Sequence, residues 1–235
     1  MKKKFIHVDD IDDVKVPQRT TIQNGKRVYL TPGGKHYPSI TSIISSQPKP
    51  SLVEWRERVG DEEADRVIKE ATTLGTAVHL LCERYLYNYE LRTNVDGHVG
   101  IDDEAISIFN RIRFLLGNIN KIVGLEIPLY SDILKVAGTT DCVAEYNGVL
   151  SVIDFKTSRK AKKEEWIEDY FIQAFFYAHA FFEMTGAIPE QIVILIAIRD
   201  SFNVQVFKKP IGEMDIYIEK LVKIMMKDPQ VIQMA

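Results

Sequence analysis

The stretch 138–160, GTTDCVAEYNGVLSVIDFKTSRK, decides how the middle of this chain folds. Two apolar runs flank Asn147-Gly148, a dipeptide that favours the two-residue turn of a β-hairpin. A turn of that length pairs Tyr146 with Val149 and fixes the register of every residue further along both strands. The stretch therefore predicts an antiparallel strand pair at the centre of the fold.

Charged side chains interrupt both of these strands, where charges are rare without a reason. The register puts Asp141 about opposite Asp154, and the alternation of side chains puts Lys156 on the same side as Asp154. Two carboxylates a few ångströms apart repel each other unless a cation lies between them, and Mg²⁺ suits carboxylate oxygens. The ammonium could orient or deprotonate a water or stabilise an oxyanion. Together these groups describe phosphodiester hydrolysis, whereas the Asp-Phe-Lys triplet alone is more typical of a salt bridge on a solvated sheet face.

The elements around the hairpin predict an α/β fold with a mixed central sheet and helices on both faces. Apolar residues at spacings of three and four predict helices ahead of the hairpin, and alternating or continuous apolar runs predict strands. The continuous run EQIVILIAIRD is typical of a strand buried on both faces. The expected order is helices at 74–91 and 102–117, strands at 121–130, 133–146 and 149–156, a crossover helix at 164–185, two strands and a terminal helix.

The N-terminal third is less regular. Residues 1–20 show no clear period and are expected to form a flexible arm, and a hairpin is predicted around Pro32-Gly33-Gly34. Residues 51–73 are charged and compatible with a helix that Gly60 interrupts.

The composition is that of a globular protein, with 235 residues, 46% hydrophobic and 27% charged. A net charge of -3 requires any nucleic-acid surface to be local. Cys82 and Cys142 are the only cysteines, which excludes a zinc finger or a four-cysteine iron–sulfur cluster within this chain. No apolar run approaches the ~20 residues that span a bilayer. Since the N-terminal lysines precede no apolar segment, we expect an intracellular, cytoplasmic protein, in the host cytoplasm if a phage encodes it.

The stretch GTTDCVAEYNGVLSVIDFKTS resembles the core of the PD-(D/E)XK nuclease superfamily, in the branch of RecB-type nuclease domains. Within that branch the sequence resembles small phage exonucleases and the mitochondrial genome maintenance exonuclease. His79 in GTAVHLLCERYL matches a histidine that the branch carries on a helix ahead of the core, and Gln173 and Tyr177 match its Gln-x-x-x-Tyr motif. YPSITSII resembles the entry segment of the phage members, so four motifs lie in order across residues 36–180.

The resemblance implies a restriction-endonuclease-like fold and a metal-dependent site. It implies one or two Mg²⁺ or Mn²⁺ ions held by His79, Asp141, Asp154 and the Phe155 carbonyl, with Glu126 as an auxiliary acid. Lys156 is then the catalytic lysine, and Gln173 and Tyr177 line the site. It also implies a helical arch or gate, so the single domain divides into an arm and hairpin (1–37), a gate (38–73), a catalytic core (74–210) and a C-terminal helix (211–235).

Several residues are candidates for contact with DNA. The run KTSRKAKK follows the hairpin and could hold phosphates, although such runs are usually solvated loops. Hydroxyls near a helix start offer a second phosphate site, and a tryptophan in a polar stretch could stack on a base. The candidates are Thr157, Ser158, Arg159, Lys160, Ser39, Thr41 and Trp55.

These observations lead to three functional hypotheses. The first is a metal-dependent exonuclease that digests DNA, single-stranded with a free end, in replication, recombination or degradation. The second is a structure-specific endonuclease of the same superfamily. The third is a non-catalytic DNA-binding module.

Overall fold

A computed structural model describes residues 4–8, 14–21, 27–90 and 102–227 of the chain. Its centre is a five-stranded mixed sheet in the order β4-β5-β6-β7-β8, and a separate antiparallel sheet has the order β1-β2-β3. The strands are β1 (Gln18–Thr21), β2 (Arg27–Leu30), β3 (His36–Pro38), β4 (Ile119–Ser131), β5 (Val136–Tyr146), β6 (Val149–Ser158), β7 (Gln191–Ile198) and β8 (Val204–Pro210).

Helices cover both faces of the central sheet. They are α1 (Ile40–Ser45), α2 (Pro50–Val59), α3 (Asp61–Leu86), α4 (Asp103–Leu116), α5 (Glu168–Thr185) and α6 (Met214–Met225). Buried residues of α1, α5 and α6 form one core on one face, and those of α3 and α4 form another core on the opposite face. The predicted mixed α/β sheet with helices on both faces is confirmed.

The hairpin has the predicted register. Tyr146 pairs with Val149, and the ladder continues to Cys142 opposite Ile153. Asn147 and Gly148 both have positive φ, 53° and 82°, which is the backbone of a type I′ turn. β6 then pairs in parallel with β7, and α5 is the crossover helix between them, as predicted.

β7 is buried on both faces, as its continuous apolar run predicted. Ile192, Ile194 and Ile196 belong to the core on the α5 face, whereas Val193 and Leu195 belong to the core on the α3 face. Burial of each such side chain contributes about 1.5–3 kcal/mol relative to leaving it exposed. This strand therefore ties the two cores to one rigid sheet.

The small sheet packs against β5 of the central sheet. Tyr29, Tyr37 and Ala137 form a third buried cluster, and the Tyr29 hydroxyl lies 2.9 Å from Thr139 Oγ1. The predicted hairpin around residues 32–34 is present as β2 and β3.

The N-terminal third differs from the sequence-based expectation in two ways. Part of the predicted arm is ordered, because residues 18–21 pair with β2 and His7 forms a bridge to Ile122. The boundary at 73/74 between the predicted gate and core falls inside α3, so the two segments share one helix. The break at Gly60 is confirmed, since its φ of 87° interrupts the helical backbone.

The crossover helix begins later than predicted, at Glu168, after a short 3₁₀ turn at Glu164–Trp166. The helix predicted at 74–91 ends earlier, at Leu86. Its residue 91, and residues 228–235 of the C-terminal segment, lie outside the described residues. Among the helices in the described ranges, none is long and apolar enough to cross a membrane.

Candidate active site

Three carboxylates lie in a row across the middle strands of the sheet. Leu125–Cys142 and Ile127–Thr140 are paired between β4 and β5, so Glu126 and Asp141 occupy the intervening position of the ladder. On the other side of β5, the register of the hairpin brings Asp141 next to Asp154. The row therefore runs from β4 through β5 to β6.

Regular alternation breaks at this row. Leu125 and Ile127 are two residues apart and would share a face in a regular strand, yet they belong to the cores on opposite faces. Between them Glu126 has a φ of 50°, in the left-handed region that glutamate seldom adopts. Strained backbone of this kind is concentrated at functional sites. The break brings side chains from both faces of the sheet to one place.

A group that could hold a metal ion lies here. One ligand atom each from His79, Glu126 and Asp141 lies within 4.8 Å of the others. His79 Nδ1 lies 3.4 Å from Asp141 Oδ1, and the backbone N–H of Phe155 donates to Asp141 Oδ2 at 2.7 Å. Because N–H and C=O of one strand residue point to the same side, the Phe155 carbonyl also points towards β5.

Helix α3 delivers His79 to this group. Its neighbours Val78, Leu81 and Cys82 are buried in the core, which leaves His79 half-buried at the edge of the packed face. The Phe155 ring contacts the imidazole edge to face at 6.2 Å between ring centroids. The histidine predicted from the resemblance is thus beside Asp141, although it comes from the face opposite to α5.

Asp154 and Lys156 form a buried ion pair. Lys156 Nζ donates to Asp154 Oδ1 at 2.6 Å and lies 2.6 Å from Oδ2, and only 1% of the Asp154 side chain is exposed. Oδ2 accepts no hydrogen bond of good geometry from the residues that the structure describes. The Lys156 ammonium offsets part of the cost of burying this oxygen, and no other described group donates a hydrogen bond to it, so it can also accept a metal ion. Asp154 therefore fits the donor set of a metal site, as do the imidazole and the two other carboxylates.

The acids differ in their proton affinity. Burial raises the pKa of Asp154, although Lys156 opposes the shift. Burial would also raise the pKa of Asp141, but His79, Lys156 and the Phe155 N–H outweigh it and hold that pKa below its ordinary value. Glu126 is exposed overall, yet partial burial of its carboxylate and the nearby Asp141 raise its pKa to about 7.

Helix α5 lines the other side of the ion pair. Gln173 Nε2 donates to the Tyr177 hydroxyl at 3.1 Å, and Tyr177 is buried against Gly138 of β5. Tyr170, one turn earlier on the same helix, lies with its ring centroid 5.3 Å from Lys156 Nζ. The sequence analysis missed Tyr170, although its spacing of three from Gln173 and seven from Tyr177 places it on the same helix face.

A cleft of about 670 Å³ adjoins the site, and its lining includes Thr157, Ser158 and Arg159. It starts at Thr157, the residue after Lys156. Gly75 of α3 lies close to this threonine, since a Cβ added to Gly75 would be 3.5 Å from Thr157 Oγ1. Arg159 forms an exposed ion pair with Asp200, and Lys160 is exposed. Three of these four predicted DNA contacts, Thr157, Ser158 and Arg159, thus line the cleft.

The remaining predicted DNA contacts lie elsewhere. Ser39 is 1% exposed, its Oγ lies 2.8 Å from Thr41 Oγ1, and it bridges to Ala137 of β5. Its burial keeps it from a phosphate in this conformation. Trp55 is half-buried on α2, none of whose residues is fully buried.

No family model matches the chain. Mitochondrial genome maintenance exonuclease 1 of Mus musculus is 32% identical over 133 residues, 53% of this chain and 38% of that protein. The protein of the same name in Xenopus tropicalis is 27% identical over 169 residues, 67% of this chain and 43% of that protein. The chain thus spans less than half the length of either relative, and this distant similarity supports a nuclease family. The solved crystal structure of SSO0001 covers 79% of this chain and 74% of that one, with 18% identity and a TM-score of 0.37, which is too low to carry an argument.

Proposed function

We propose that this protein is a metal-dependent exonuclease that hydrolyses phosphodiester bonds of DNA, with single strands that have a free end as substrate. The observation that carries the proposal is the row of Glu126, Asp141 and Asp154 with His79 and Lys156 converging on it. The names of the two distant relatives add support for an exonuclease. The proposal includes the RecB-type branch of the PD-(D/E)XK superfamily and its restriction-endonuclease-like fold.

The proposed metal ligands are His79, Glu126, Asp141, Asp154 Oδ2 and the Phe155 carbonyl. Mg²⁺ is the favoured ion because most of these donors are oxygens, and Mn²⁺ accepts the same set together with an imidazole. A bound divalent ion would lower the pKa of a water and neutralise charge that develops on the phosphate. Glu126 changes here from an auxiliary acid to a member of the ligand group, because it lies within 4.8 Å of the two other ligand atoms.

Lys156 is proposed to hold the attacking water or the phosphate oxygen. Its ammonium remains charged, because Asp154 and Asp141 outweigh the effect of burial and raise its pKa. Asp154 on one side and the Tyr170 ring on the other restrict where the ammonium can point. A preorganised charge of this kind stabilises a transition state without reorganising at the moment of reaction.

The route of the chain supports an arch over the site. α1 packs with α5 on one face of the sheet, whereas α3 joins the core on the opposite face from Leu74 onward, so α2 and the first half of α3 together connect the two faces. At the start of α2, Lys49 forms an ion pair with Asp169 at 2.7 Å, next to Tyr170. At the end of α2, Gly60 leads directly into the helix that carries His79. A segment that crosses here would admit a free strand end and exclude a closed circle.

The test is a digestion assay with end-labelled linear single strands, linear duplexes and closed single-stranded circles. We expect linear single strands to be degraded with Mg²⁺ or Mn²⁺ and to be stable in EDTA. Circles should stay intact, and cutting of circles would indicate an endonuclease instead. Tight binding of single strands without hydrolysis under any metal would indicate a non-catalytic module.

Lys156→Gln is the decisive variant. It keeps a hydrogen-bond donor for Asp154 but removes the charge, and we expect the rate to fall by at least about 100-fold, as for the loss of one transition-state donor. Lys223→Ala, an exposed lysine of α6, is the matched control and should keep the parent's rate. Equal rates for Lys156→Gln and the parent, with both folded by circular dichroism, would overturn the mechanism.

A further inference from the structure

The cleft beside the candidate site ends at a turn that carries an exposed aromatic side chain. The turn spans residues 199–203 and joins β7 to β8. Arg199 and Asp200 of this turn line the cleft, and Phe202 is 86% exposed. The catalytic proposal does not use this phenylalanine.

Hydrogen bonds tie the turn to the strand that carries Lys156. The N–H of Arg199 donates to the Ser158 carbonyl at 2.7 Å, and the N–H of Asp200 donates to the Arg159 carbonyl at 3.0 Å. The turn therefore extends the cleft floor that begins at Thr157.

Arg111 of α4 holds the other side of the turn. Its Nη1 lies within hydrogen-bond distance of the carbonyls of Ile198, Arg199 and Ser201, at 2.7, 3.1 and 2.5 Å. Its Cζ lies 5.0 Å from the centroid of the Phe202 ring, a distance at which a guanidinium and an aromatic face attract each other. The ring is thus presented to solvent by a backbone that is fixed on two sides.

The cleft that this turn borders has groups that can hold a nucleic-acid backbone, set among the carboxylates of Glu63, Glu70, Glu104 and Asp200. Thr157 and Ser158 offer hydroxyls, and Arg159 and Arg199 offer guanidiniums. These arginines are now paired with acids, Arg159 with Asp200 and Arg199 with Glu70 and Glu104, and phosphates would compete for them. Phosphate-holding groups and an exposed aromatic ring on one turn are a combination that can bind a single strand.

We infer that Phe202 is a base-stacking residue, on whose ring an unpaired nucleobase stacks when the backbone of its strand lies in the cleft. The inference rests on the proposed function for the identity of the strand. The ring can receive only an unpaired base, because the bases of a duplex are stacked on each other. Loss of one stacked base is expected to weaken binding about tenfold, which corresponds to about 1.4 kcal/mol.

The first experiment measures affinity for a fluorescein-labelled deoxythymidine oligonucleotide by anisotropy, in the Lys156→Gln background and in EDTA so that cutting is suppressed. We expect Phe202→Ala to bind about tenfold more weakly and Phe202→Tyr to restore the affinity. On an oligonucleotide of abasic sites, the affinity of the chain with Phe202 should fall about tenfold. The affinity of Phe202→Ala should not fall further, because it has no ring on which a base could stack. Equal losses for both chains on the abasic strand would overturn the inference.

The second experiment places a fluorophore at the turn. Phe202→Trp should show fluorescence quenching by the oligonucleotide beyond that of the two native tryptophans, because a stacked base quenches indole. Ile188→Trp is the control, since Ile188 is exposed in the loop before β7, at the opposite end of that strand. Equal quenching at both positions would contradict stacking at Phe202.

The two proposals fail separately. If the parent protein shows the stacking signature but cuts no strand with Mg²⁺ or Mn²⁺, the nuclease proposal fails and the inference stands. If the parent cuts strands while Phe202→Ala keeps full affinity, the inference fails and the nuclease proposal stands.

Discussion

At the scale of single residues, the three carboxylates of the row differ because their partners differ. Asp154 is paired with Lys156, Asp141 has the imidazole of His79 and a backbone N–H, and Glu126 stands on a strained backbone near solvent. Like charges so close together are unfavourable unless cations share them. Lys156 meets this need for Asp154 only in part, so the row as a whole favours a bound cation.

Removal of the imidazole should weaken this cation site. We expect His79→Ala to lower the affinity for Mn²⁺ by more than tenfold, because loss of even an outer-shell partner of a ligand costs about 10–100-fold. Isothermal titration with Mn²⁺ measures it. His179→Ala is the matched control, since His179 is also partly buried but lies on α5 beside Glu183. Equal dissociation constants for His79→Ala and the parent would exclude His79 as a ligand.

Glu126 should make the stability of the metal-free protein depend on pH. Its pKa in the folded protein is raised to about 7, so between pH ~4.5 and 7 the folded state keeps a proton that the unfolded chain has released. Stability is therefore lost as pH rises through that window. Glu126→Gln removes the dependence, and it should raise the melting temperature at pH 8 by about 1–2 °C, a small effect because solvent screens an exposed group.

Thermal melts in EDTA at pH 5 and pH 8 measure this effect. The gain of Glu126→Gln should vanish at pH 5, where the parent's carboxyl is protonated as well. A gain of the same size at both values of pH would show that Glu126 is not the titrating group.

At the scale of elements, β5 fits under α1 and α5 only because it carries a glycine there. A Cβ on Gly138 would lie 2.8 Å from Ile40 Cγ2 and 2.8 Å from Tyr177 Cε1. Both neighbours are fully buried and cannot move into open space. The glycine that precedes Asp141 in the sequence motif thus allows the helix bearing Gln173 and Tyr177 to pack close to the carboxylate row.

We expect Gly138→Ala to lower the free energy of unfolding by about 1–3 kcal/mol, the usual cost of overpacking a core. Urea denaturation measures it. Gly212→Ala is the control, because a Cβ there meets no atom within 4 Å among the described residues, and its effect should stay within about 0.5 kcal/mol. Equal changes in the free energy of unfolding for the two substitutions would mean that the core accommodates a methyl group at residue 138 without loss of stability.

At the scale of the whole molecule, the two helix layers are joined by a segment that neither layer buries. α2 has no buried residue and connects the layer of α1 and α5 to the layer of α3 and α4. An exposed charged helix contributes little to the core, so any role of α2 lies outside the core. The path of α2 between the two layers suits it to control the access of a DNA strand to the candidate site.

Replacement of residues 50–59 by a flexible glycine–serine linker tests that role. If α2 closes an arch, the variant should cut closed single-stranded circles that the parent leaves intact, while it still degrades linear strands. Gel analysis of circular and linear substrates measures both activities side by side. A folded variant that degrades linear strands and spares circles would contradict the arch.

The sequence by itself determined the hairpin and its register. The Asn-Gly turn selects a two-residue connection, and the period of two then assigns a side to each charge, because both rules act over a few neighbouring residues. The order of helices and strands and the two-sided burial of β7 follow from equally local patterns. For the same reason Asp154 and Lys156 could be paired from sequence alone.

Only the tertiary structure decided which distant groups meet that hairpin. Glu126 lies close to His79 and Asp141 because its own backbone is left-handed, which interrupts the alternation of side chains along β4. Glutamate seldom adopts this conformation, so its sequence propensity does not predict it. Tyr170, Arg111 and Phe202 acquire their places from the packing of helices on opposite faces of the sheet. Contacts of that kind join residues far apart in the chain, and they depend on the whole core having formed first.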